Sequence, residues 1–425
     1  MLAQPRSRRQ FRAWADVPDE AWDDWKWQFR NRIATPDQLE QAFPLSASER
    51  DAARRSRELF RLGITPHWAT LIDPDDPDCP MRLQAIPRLD ELATDPLESA
   101  DPLHEDAHSP VPGLVHRYPD RVLLLVTHEC PLYCRYCTRR RIVGDQDGNH
   151  TDPLLAAVAY IRRTPAIRDV LISGGEPLAL GDRRLGEILT LLRAIPHVEI
   201  VRIGTRAPVA MPQRVTPELV AMLRRFHPLW MNLHVNHPFE LAPPATRQAI
   251  ERIVDAGIPT GNQSVLLRGV NDCPVVMKRL LHELVKLRCR PYYLYSCDHS
   301  QGLAHFRVPV REGVALLESL WGHTSGYAIP VFVVDAPGGG GKIPLLPDYR
   351  VSDGVLRNFE GRRFAYQDSS AAAGSGDCRQ CGTNHAPAAA LDGTRAGGTH
   401  GGGTRVDGTS VGSTGVDVSA RSRAP

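Results

Sequence analysis

The stretch RVLLLVTHECPLYCRYC, Arg121–Cys137, decides the fold of this chain. Its first part, Arg121–Thr127, is a short run rich in Leu and Val, which is typical of a buried β-strand. Three cysteines follow at once, Cys130, Cys134 and Cys137, in the spacing C-x3-C-x2-C. A strand that ends in a loop of metal-ligand residues predicts an α/β protein whose chemistry lies at the carboxyl ends of its strands.

Six further β-rich runs continue this pattern along the chain, and amphipathic helical stretches separate them. The predicted strands are Asp169–Ser173, Glu199–Gly204, Trp230–Val235, Gln263–Leu267, Pro291–Ser296 and Pro330–Asp335. The predicted helices are Pro153–Arg163, Arg183–Ala194, Pro217–Phe226, Thr246–Ala256, Pro274–Leu287 and Val310–Trp321. Alternation of this length predicts a partial or complete parallel β/α barrel, with reactive motifs directly after its strands.

Three regions divide the chain. Residues 1–115 are predicted to form an N-terminal helical region, whose four tryptophans between positions 14 and 27 pack against the main body. Residues 116–346 are predicted to form the barrel core. Residues 347–425 are a C-terminal segment whose end, rich in Ala, Gly, Thr and Ser, is predicted to be disordered.

Composition narrows the class of protein. The chain has 425 residues, 42% of them hydrophobic, so it can bury a sizeable core. A formal net charge of +2 argues against nucleic acid as the main partner. No apolar run approaches the roughly 18 residues of a membrane span, and the first residues lack the apolar core of a secretory signal. We therefore expect a cytoplasmic protein, in which clustered cysteines indicate metal binding or catalysis.

The three clustered cysteines predict an iron-sulfur site. Thiolates bind such clusters, and a cubane usually takes four of them. Three would hold three irons of a [4Fe-4S] cluster and leave the fourth iron open to a ligand. Two other interpretations are three structural cysteines, or a zinc site with one distant ligand. The position directly after a strand favours the cluster.

The cysteine spacing matches the radical S-adenosylmethionine (SAM) superfamily, whose unique iron binds SAM. The flanking segments His116–Arg121 and Cys137–Arg141 resemble the lysine 2,3-aminomutase family, and the resemblance extends from about Thr65 to Tyr366. It implies a [4Fe-4S] cluster, SAM and pyridoxal 5′-phosphate (PLP). The implied reaction is the migration of the α-amino group of L-lysine to the neighbouring carbon, which gives L-β-lysine.

The resemblance also implies a SAM pocket. It assigns SAM binding to Tyr136, Ser173, Gly174, Gly175, Glu176, His234 and Gln263. The two glycines let the backbone approach a ligand closely, and the carboxylate of Glu176 can accept a hydrogen bond from the SAM ammonium. The ring of Tyr136 is expected to pack against the adenosyl group.

The run DAPGGGGK, Asp335–Lys342, follows the last predicted strand. It is not a phosphate-binding P-loop, because Ala336 and Ile343 stand where that motif needs Gly and Ser or Thr. A flexible loop with an exposed lysine is one interpretation. The other is a lysine on a pliable tether, which can bind PLP covalently and release it. The resemblance makes Lys342 the PLP lysine and places Arg117 and Arg121 at the PLP phosphate.

The resemblance implies a substrate site as well. Arg139 would bind the substrate carboxylate, and Asp298 and Asp335 would bind the ε-ammonium of lysine. Two carboxylates repel each other unless a cation lies between them, which argues against glutamate as substrate. Arginine, with β-arginine as product, remains an alternative. The basic run Arg139–Arg141 also permits a different class, a zinc-binding, nucleic-acid-associated protein, against which the near-neutral charge argues.

A second cysteine group is Cys273, Cys378 and Cys381. The resemblance implies that these residues bind a structural zinc that ties the tail of one subunit to another, and so predicts a homo-oligomer. Zinc normally takes four ligands, and His385 could complete the set. The family also implies an electron donor such as flavodoxin or ferredoxin. The composition indicates a GC-rich genome, which favours an antibiotic building block as the use of the product.

Overall fold

Nine strands form one sheet whose spatial order follows the chain. In the computed structural model, which describes residues 5–56, 60–144 and 153–366, they are β1 Leu114–Tyr118, β2 Arg121–Leu125, β3 Asp169–Ser173, β4 Ile200–Thr205, β5 Leu229–Leu233, β6 Thr260–Leu266, β7 Arg290–Ser296, β8 Val331–Ala336 and β9 Gly341–Leu345. Strands β2 to β8 are parallel, and β1 and β9 pair antiparallel at the two edges. The predicted partial β/α barrel is confirmed, and its two edge strands are additions to the prediction.

Helices precede the sheet and alternate with its parallel strands. Before β1 lie α1 Asp19–Trp22, α2 Trp25–Arg30, α3 Pro36–Ala42, α4 Ala47–Arg55, α5 Pro66–Ala69 and α6 Pro80–Leu83. Within the barrel lie α7 Leu154–Arg162, α8 Asp182–Arg193, α9 Ala207–Ala210, α10 Pro217–Leu223, α11 Pro244–Asp255, α12 Pro274–Lys286 and α13 Val310–Glu318. Prolines in the first turn begin α10, α11 and α12, because their fixed φ suits that position and the missing N–H has no partner there anyway.

Alternation along each strand separates the core from the barrel interior. In β3, Val170 and Ile172 are buried in the same hydrophobic cluster as Leu189 of α8. Their neighbours Leu171 and Ser173 point the other way and line a cavity inside the barrel. The outer face of the sheet therefore builds the core, and the inner face builds the site.

The tryptophans of the N-terminal region pack as predicted. Trp14 belongs to the main hydrophobic cluster, and Trp22 and Trp27 are partly buried against it. The ring of Trp25 lies under the buried guanidinium of Arg214, 4.6 Å from its centre. The N-terminal helices thus share one core with the barrel.

The described residues up to Phe364 form one compact unit, and a second unit begins at Ala365. A small sheet of β10 Arg350–Ser352, β11 Val355–Arg357 and β12 Arg363–Ala365 follows the barrel. The predicted disordered end lies outside the described residues, and the domain boundaries at residues 115 and 346 stay predictions. Within the described part of the chain, no helix is long and apolar enough to cross a membrane.

Candidate active site

A cavity of about 540 Å³ lies inside the barrel. Nine of the predicted site residues line it: Arg117, Arg121, Arg139, Ser173, His234, Gln263, Asp298, Asp335 and Lys342. Ser173 ends β3, Asp298 follows β7, and Asp335 lies near the end of β8. The prediction that reactive motifs follow the strands is therefore confirmed for these positions. The three clustered cysteines, Tyr136, Gly174, Gly175 and Glu176 lie in neighbouring loops outside the cavity wall.

The loop after β2 brings three partly exposed thiols together. Burial raises the pKa of Cys137 to about 11, and the neighbouring thiol of Cys134 adds to this effect. Burial also raises the pKa of Cys130, and both other thiols contribute. Three neighbouring thiols in one loop fit a cluster, in which each sulfur binds its own iron.

Two glycines let the end of β3 pack against the cysteine loop. A Cβ atom on Gly174 would lie 2.4 Å from the carbonyl oxygen of Thr127, and one on Gly175 would lie 2.3 Å from that of Glu129. Gly174 also has a φ of +127°, which side chains other than glycine's rarely adopt. The amide of Gly175 donates to the Thr127 oxygen at 2.6 Å. The two glycines thus allow close contact between two loops of the protein, and their approach to a ligand stays a prediction.

Glu176 joins two strand-end loops. Its buried carboxylate accepts hydrogen bonds from the amides of Leu178, Arg206 and Ala207 at 3.0, 2.7 and 3.1 Å, and from the hydroxyl of Thr205 at 2.6 Å. Burial raises the pKa of Glu176, while these bonds lower it. Four donors use the ordinary capacity of a carboxylate. The side chain therefore connects β3 to β4, a role the sequence did not predict, and the bond from its carboxylate to an ammonium group stays a prediction.

Tyr136 packs inside the protein. Its ring stacks on His234 with centres 5.6 Å apart, its hydroxyl lies 2.9 Å from Nε2 of His234, and Phe306 meets its face edge-on. Burial, assisted by the nearby charge of Arg206, lowers the pKa of His234 to about 3, so this imidazole is neutral. Of this stacked pair only His234 reaches the cavity. The structure thus places the Tyr136 ring on His234, where the sequence led us to expect an adenosyl group.

Arg206 is a site residue that the sequence analysis missed. It follows β4, and its Nη1 lies 2.7 Å from the sulfur of Cys134. Its Nη2 donates to Gln84 at 2.8 Å and to Glu240 at 3.1 Å. The buried guanidinium thus places a positive charge beside one of the three thiols. Its position directly after a strand was the signal that could have identified it.

Lys342 stands on a strand, not on a flexible tether. It lies in β9, directly opposite Asp335 of β8, and its Nζ is 3.1 and 3.3 Å from the two carboxylate oxygens of Asp335. The turn before it contains Gly338, Gly339 and Gly341, all with positive φ. The pliable part is therefore the glycine turn, and the lysine itself is held in register. This corrects the expectation drawn from the glycine-rich sequence.

Asp298 lies at the same end of the cavity. It accepts a hydrogen bond of 2.6 Å from Thr138, which follows the last cysteine of the β2 loop. Burial raises the pKa of Asp298 to about 6, and the nearby Asp335 carboxylate adds to this effect. The hydrogen bond from Thr138 and the charges of Lys342 and Arg139 oppose this increase in pKa. The two carboxylates thus share one electrostatic environment, as predicted.

The two predicted PLP arginines lie where the edges of the sheet meet. Arg117 donates from Nε to the carbonyl of Gly339, and Arg121 lies over the ring of Tyr118, 3.8 Å from its centre. The amide of Lys342 donates to the Tyr118 hydroxyl at 2.9 Å. Side chains of β1 therefore connect this edge of the sheet to β9, and we call this contact between the two edges the seam. Both arginines line the cavity that holds Lys342. A lysine amine and two guanidinium groups in one cavity fit the aldehyde and the phosphate of PLP.

Each arginine of the basic run Arg139–Arg141 is paired with an acid of the segment before β1. Arg139 meets Glu105 at 2.7 Å, Arg140 meets Glu91 at 2.5 Å, and Arg141 meets Asp106 at 3.0 Å. Both Glu105 and Arg139 line the cavity. The run thus forms an intramolecular ion-pair network, and Glu105 is a cavity residue that the sequence analysis missed.

Only one of the predicted zinc ligands lies among the described residues. Cys273 is exposed at the beginning of α12. Cys378 and Cys381, like His385, lie outside the described residues. The zinc site therefore stays a prediction.

Comparisons with known proteins agree with this geometry. The family model of the radical SAM superfamily matches residues 124–281, and the model named lysine-2,3-aminomutase matches residues 317–398. The chain is 54% identical to the L-lysine 2,3-aminomutase of Clostridium subterminale, over 85% of this chain and 88% of that protein. It is 52% identical to the L-lysine 2,3-aminomutase of Acetoanaerobium sticklandii, over 86% and 89%. The identity to the glutamate 2,3-aminomutase of Clostridioides difficile is 43%, over 83% and 84%.

The first two relatives exceed half identity across nearly their whole length. The cysteine loop, the barrel and the cavity are the parts that such an enzyme needs. This chain therefore belongs to the lysine 2,3-aminomutase family of radical SAM enzymes.

Proposed function

We propose that this enzyme interconverts L-lysine and L-β-lysine with a [4Fe-4S] cluster, SAM and PLP. The observation that carries the proposal is the pair of carboxylates, Asp298 and Asp335, in one cavity with Lys342. A second ammonium group, such as the one at the end of a lysine side chain, would balance this pair. The higher identity to L-lysine than to glutamate aminomutases supports the same substrate.

When bound, the cluster with SAM supplies radical chemistry that removes a hydrogen atom from the substrate, and PLP supplies a conjugated ring that delocalises the unpaired electron. The thiols of the Cys130–Cys137 loop would hold the cluster. Lys342 would hold PLP through its amine, and Arg117 and Arg121 would hold the phosphate through their planar donors. The other charged residues of the cavity would orient the substrate.

Orientation follows from the charges of the cavity wall. Arg139 would bind the substrate carboxylate, and Asp298 and Asp335 would bind its ε-ammonium. In the structure the Nζ of Lys342 lies 3.1 Å from Asp335, so this carboxylate is placed to bind an ammonium group. With the Lys342 amine engaged by PLP, Asp335 would be available to the ε-ammonium of the substrate.

Two wider features belong to the same proposal. Reduction of the cluster requires single electrons, for which a small donor such as flavodoxin or ferredoxin is suited. The exposed thiol of Cys273 is available for a zinc site shared with the tail cysteines, which would join copies of the chain. Both are proposed from the family, and neither affects the geometry of the cavity.

The test is an anaerobic turnover assay with reconstituted cluster, SAM, PLP and reductant. L-Lysine, L-arginine and L-glutamate would compete in one vessel, with products separated by mass spectrometry. We expect β-lysine, and no product when SAM is left out. β-Arginine or β-glutamate alone would contradict the substrate. SAM cleavage without any β-amino acid would contradict the aminomutase reaction.

A further inference from the structure

Glu105 holds one edge of the Arg139 guanidinium. Its carboxylate oxygens lie 3.0 Å from Nε, and one of them lies 2.7 Å from Nη2. A guanidinium has five N–H donors in a planar fork. In the described structure Nη1 makes no hydrogen bond, and the cavity contacts this side chain. One edge of Arg139 is thus occupied by the protein and another remains for a ligand.

The backbone of Glu105 is held by hydrogen bonds on both sides. Its own amide donates to Asp101 at 3.0 Å, and Ser109 donates to its carbonyl at 2.7 Å. The residue is 8% exposed. Its partner Asp101 is also tied to Arg141, at 3.4 Å. Glu105 therefore lies in a turn that hydrogen bonds hold in place. If its carboxylate moved away from Arg139, a buried charge would lose its partner.

Asp298 is a second carboxylate that could bind the Arg139 guanidinium. Asp298 lies in the same cavity and interacts electrostatically with Arg139. If Arg139 turned towards Asp298, it would join the end of the cavity that binds a carboxylate to the end that binds an ammonium. The bond to Glu105 on the Nε edge prevents that movement. It also fixes the plane of the guanidinium, so the direction of the free donors is set before a ligand arrives.

We infer that Glu105 is a positioning residue, which holds Arg139 so that its free edge receives the substrate carboxylate. The inference rests on the proposed function, because it needs an amino acid in the cavity. It excludes the opposite role, in which Glu105 imitates the substrate carboxylate and must be displaced. The two roles predict opposite changes when the charge of Glu105 is removed.

The test compares Glu105→Gln with the control Asp106→Asn. Asp106 belongs to the same turn and pairs with Arg141, but its side chain is 73% exposed and lies outside the cavity wall. In Glu105→Gln the KM for L-lysine should rise about tenfold with a smaller change in kcat, the effect of one weakened charge-assisted bond. In Asp106→Asn both constants should stay within twofold of the wild type. A fall in KM, or no change, in Glu105→Gln would overturn the inference.

A ligand without a carboxylate separates positioning from a general loss of structure. 1,5-Diaminopentane is lysine without that group, so its inhibition constant should be the same in Glu105→Gln and wild type. An equal rise in both constants would show a merely structural role and would also overturn the inference. If Glu105→Gln does not fold with its cofactors, Glu105→Asp keeps the charge but draws the carboxylate away from Arg139, and the KM for L-lysine should again rise while the inhibition constant stays the same. A wild type that makes no β-lysine would instead defeat the proposed function itself.

Discussion

The two ends of the cavity differ in how the protein has balanced its own charges. At one end Arg139 is already paired with Glu105, so its charge is compensated before any ligand binds. At the other end two carboxylates, Asp298 and Asp335, face one lysine cation. Under the proposed function, the first end would orient the ligand, and the second would bind a ligand that supplies one more positive charge. Selectivity for a substrate with a distal cation would then belong to the acidic end.

Removing the lysine of the acidic end should have the largest effect. Lys342→Ala should abolish β-lysine formation, because the only lysine among the described cavity residues is lost. Borohydride reduction followed by intact-mass measurement should add the mass of reduced PLP to the wild type and not to the variant. Lys286→Ala, on the exposed surface of α12, is the matched control and should retain the added mass. Retention in Lys342→Ala would contradict the assignment.

Neutralising one carboxylate tests whether the acidic end selects the substrate. Asp298→Asn should lower kcat/KM for L-lysine by roughly 30-fold to several thousand-fold, the cost of breaking a buried charged contact. Steady-state turnover with mass-spectrometric detection measures this. Asp353→Asn, at an exposed turn, should be unchanged. A variant within threefold of the wild type would show that Asp298 does not bind the ammonium.

Because the pKa of Asp298 is raised, the role of the acidic end can also be tested by changing the pH. The ammonium of lysine needs the ionised carboxylate, so KM should rise about tenfold per pH unit below about 6 and be flat above it. Asp298→Asn should remove this dependence. The free energy of unfolding should change in the opposite sense to substrate binding and increase at low pH. The reason is that the folded protein binds the proton of Asp298 more tightly than the unfolded chain does. The contribution of Asp298 to the free energy of unfolding is largest at low pH and falls as pH rises towards 6. A KM that is constant between pH 5 and 7 would contradict this prediction.

The smallest expected effect concerns the seam that places Lys342. Tyr118→Phe removes the acceptor of the Lys342 amide and should lower the free energy of unfolding by about 1 kcal/mol. Chemical denaturation of the cofactor-free protein measures it. Tyr366→Phe, a tyrosine exposed to solvent, serves as control and should leave the midpoint unchanged. A loss of several kcal/mol in Tyr118→Phe would contradict the prediction that the Tyr118 hydroxyl contributes only one hydrogen bond to stability.

The sequence predicted the parallel strands well because their apolar runs are continuous. The prediction for Asp169–Ser173 matches β3 at both ends, and that for Pro291–Ser296 differs from β7 by one residue. The edge strands were missed for a physical reason. Strand β9 reads GKIPL, in which glycine and proline hide the β pattern, and it is defined only by its pairing with β8. Such pairing is a tertiary property.

Within the site, local spacing predicted ligands but not their partners. The cysteines and Lys342 could be found because their neighbours in sequence identify them. Glu105 could not, because it lies 34 residues from Arg139 in a segment rich in proline and aspartate that reads as a loop. The stacking of Tyr136 on His234 likewise joins residues 98 apart in the chain. Contacts of this kind are decided by how the segment before β1 and the strand-end loops fold together.

The ion pairs of the arginine run differ in their contact with water, and that difference has a consequence for ionic strength. Glu91, which binds Arg135 and Arg140, is 1% exposed, whereas Asp106 beside Arg141 is 73% exposed. Dissolved ions screen exposed charges over about 8 Å at physiological concentration but reach buried pairs much less. Added salt would therefore loosen only the outer pair. The loop that carries the three thiols would keep its shape in dilute buffer and in concentrated salt alike.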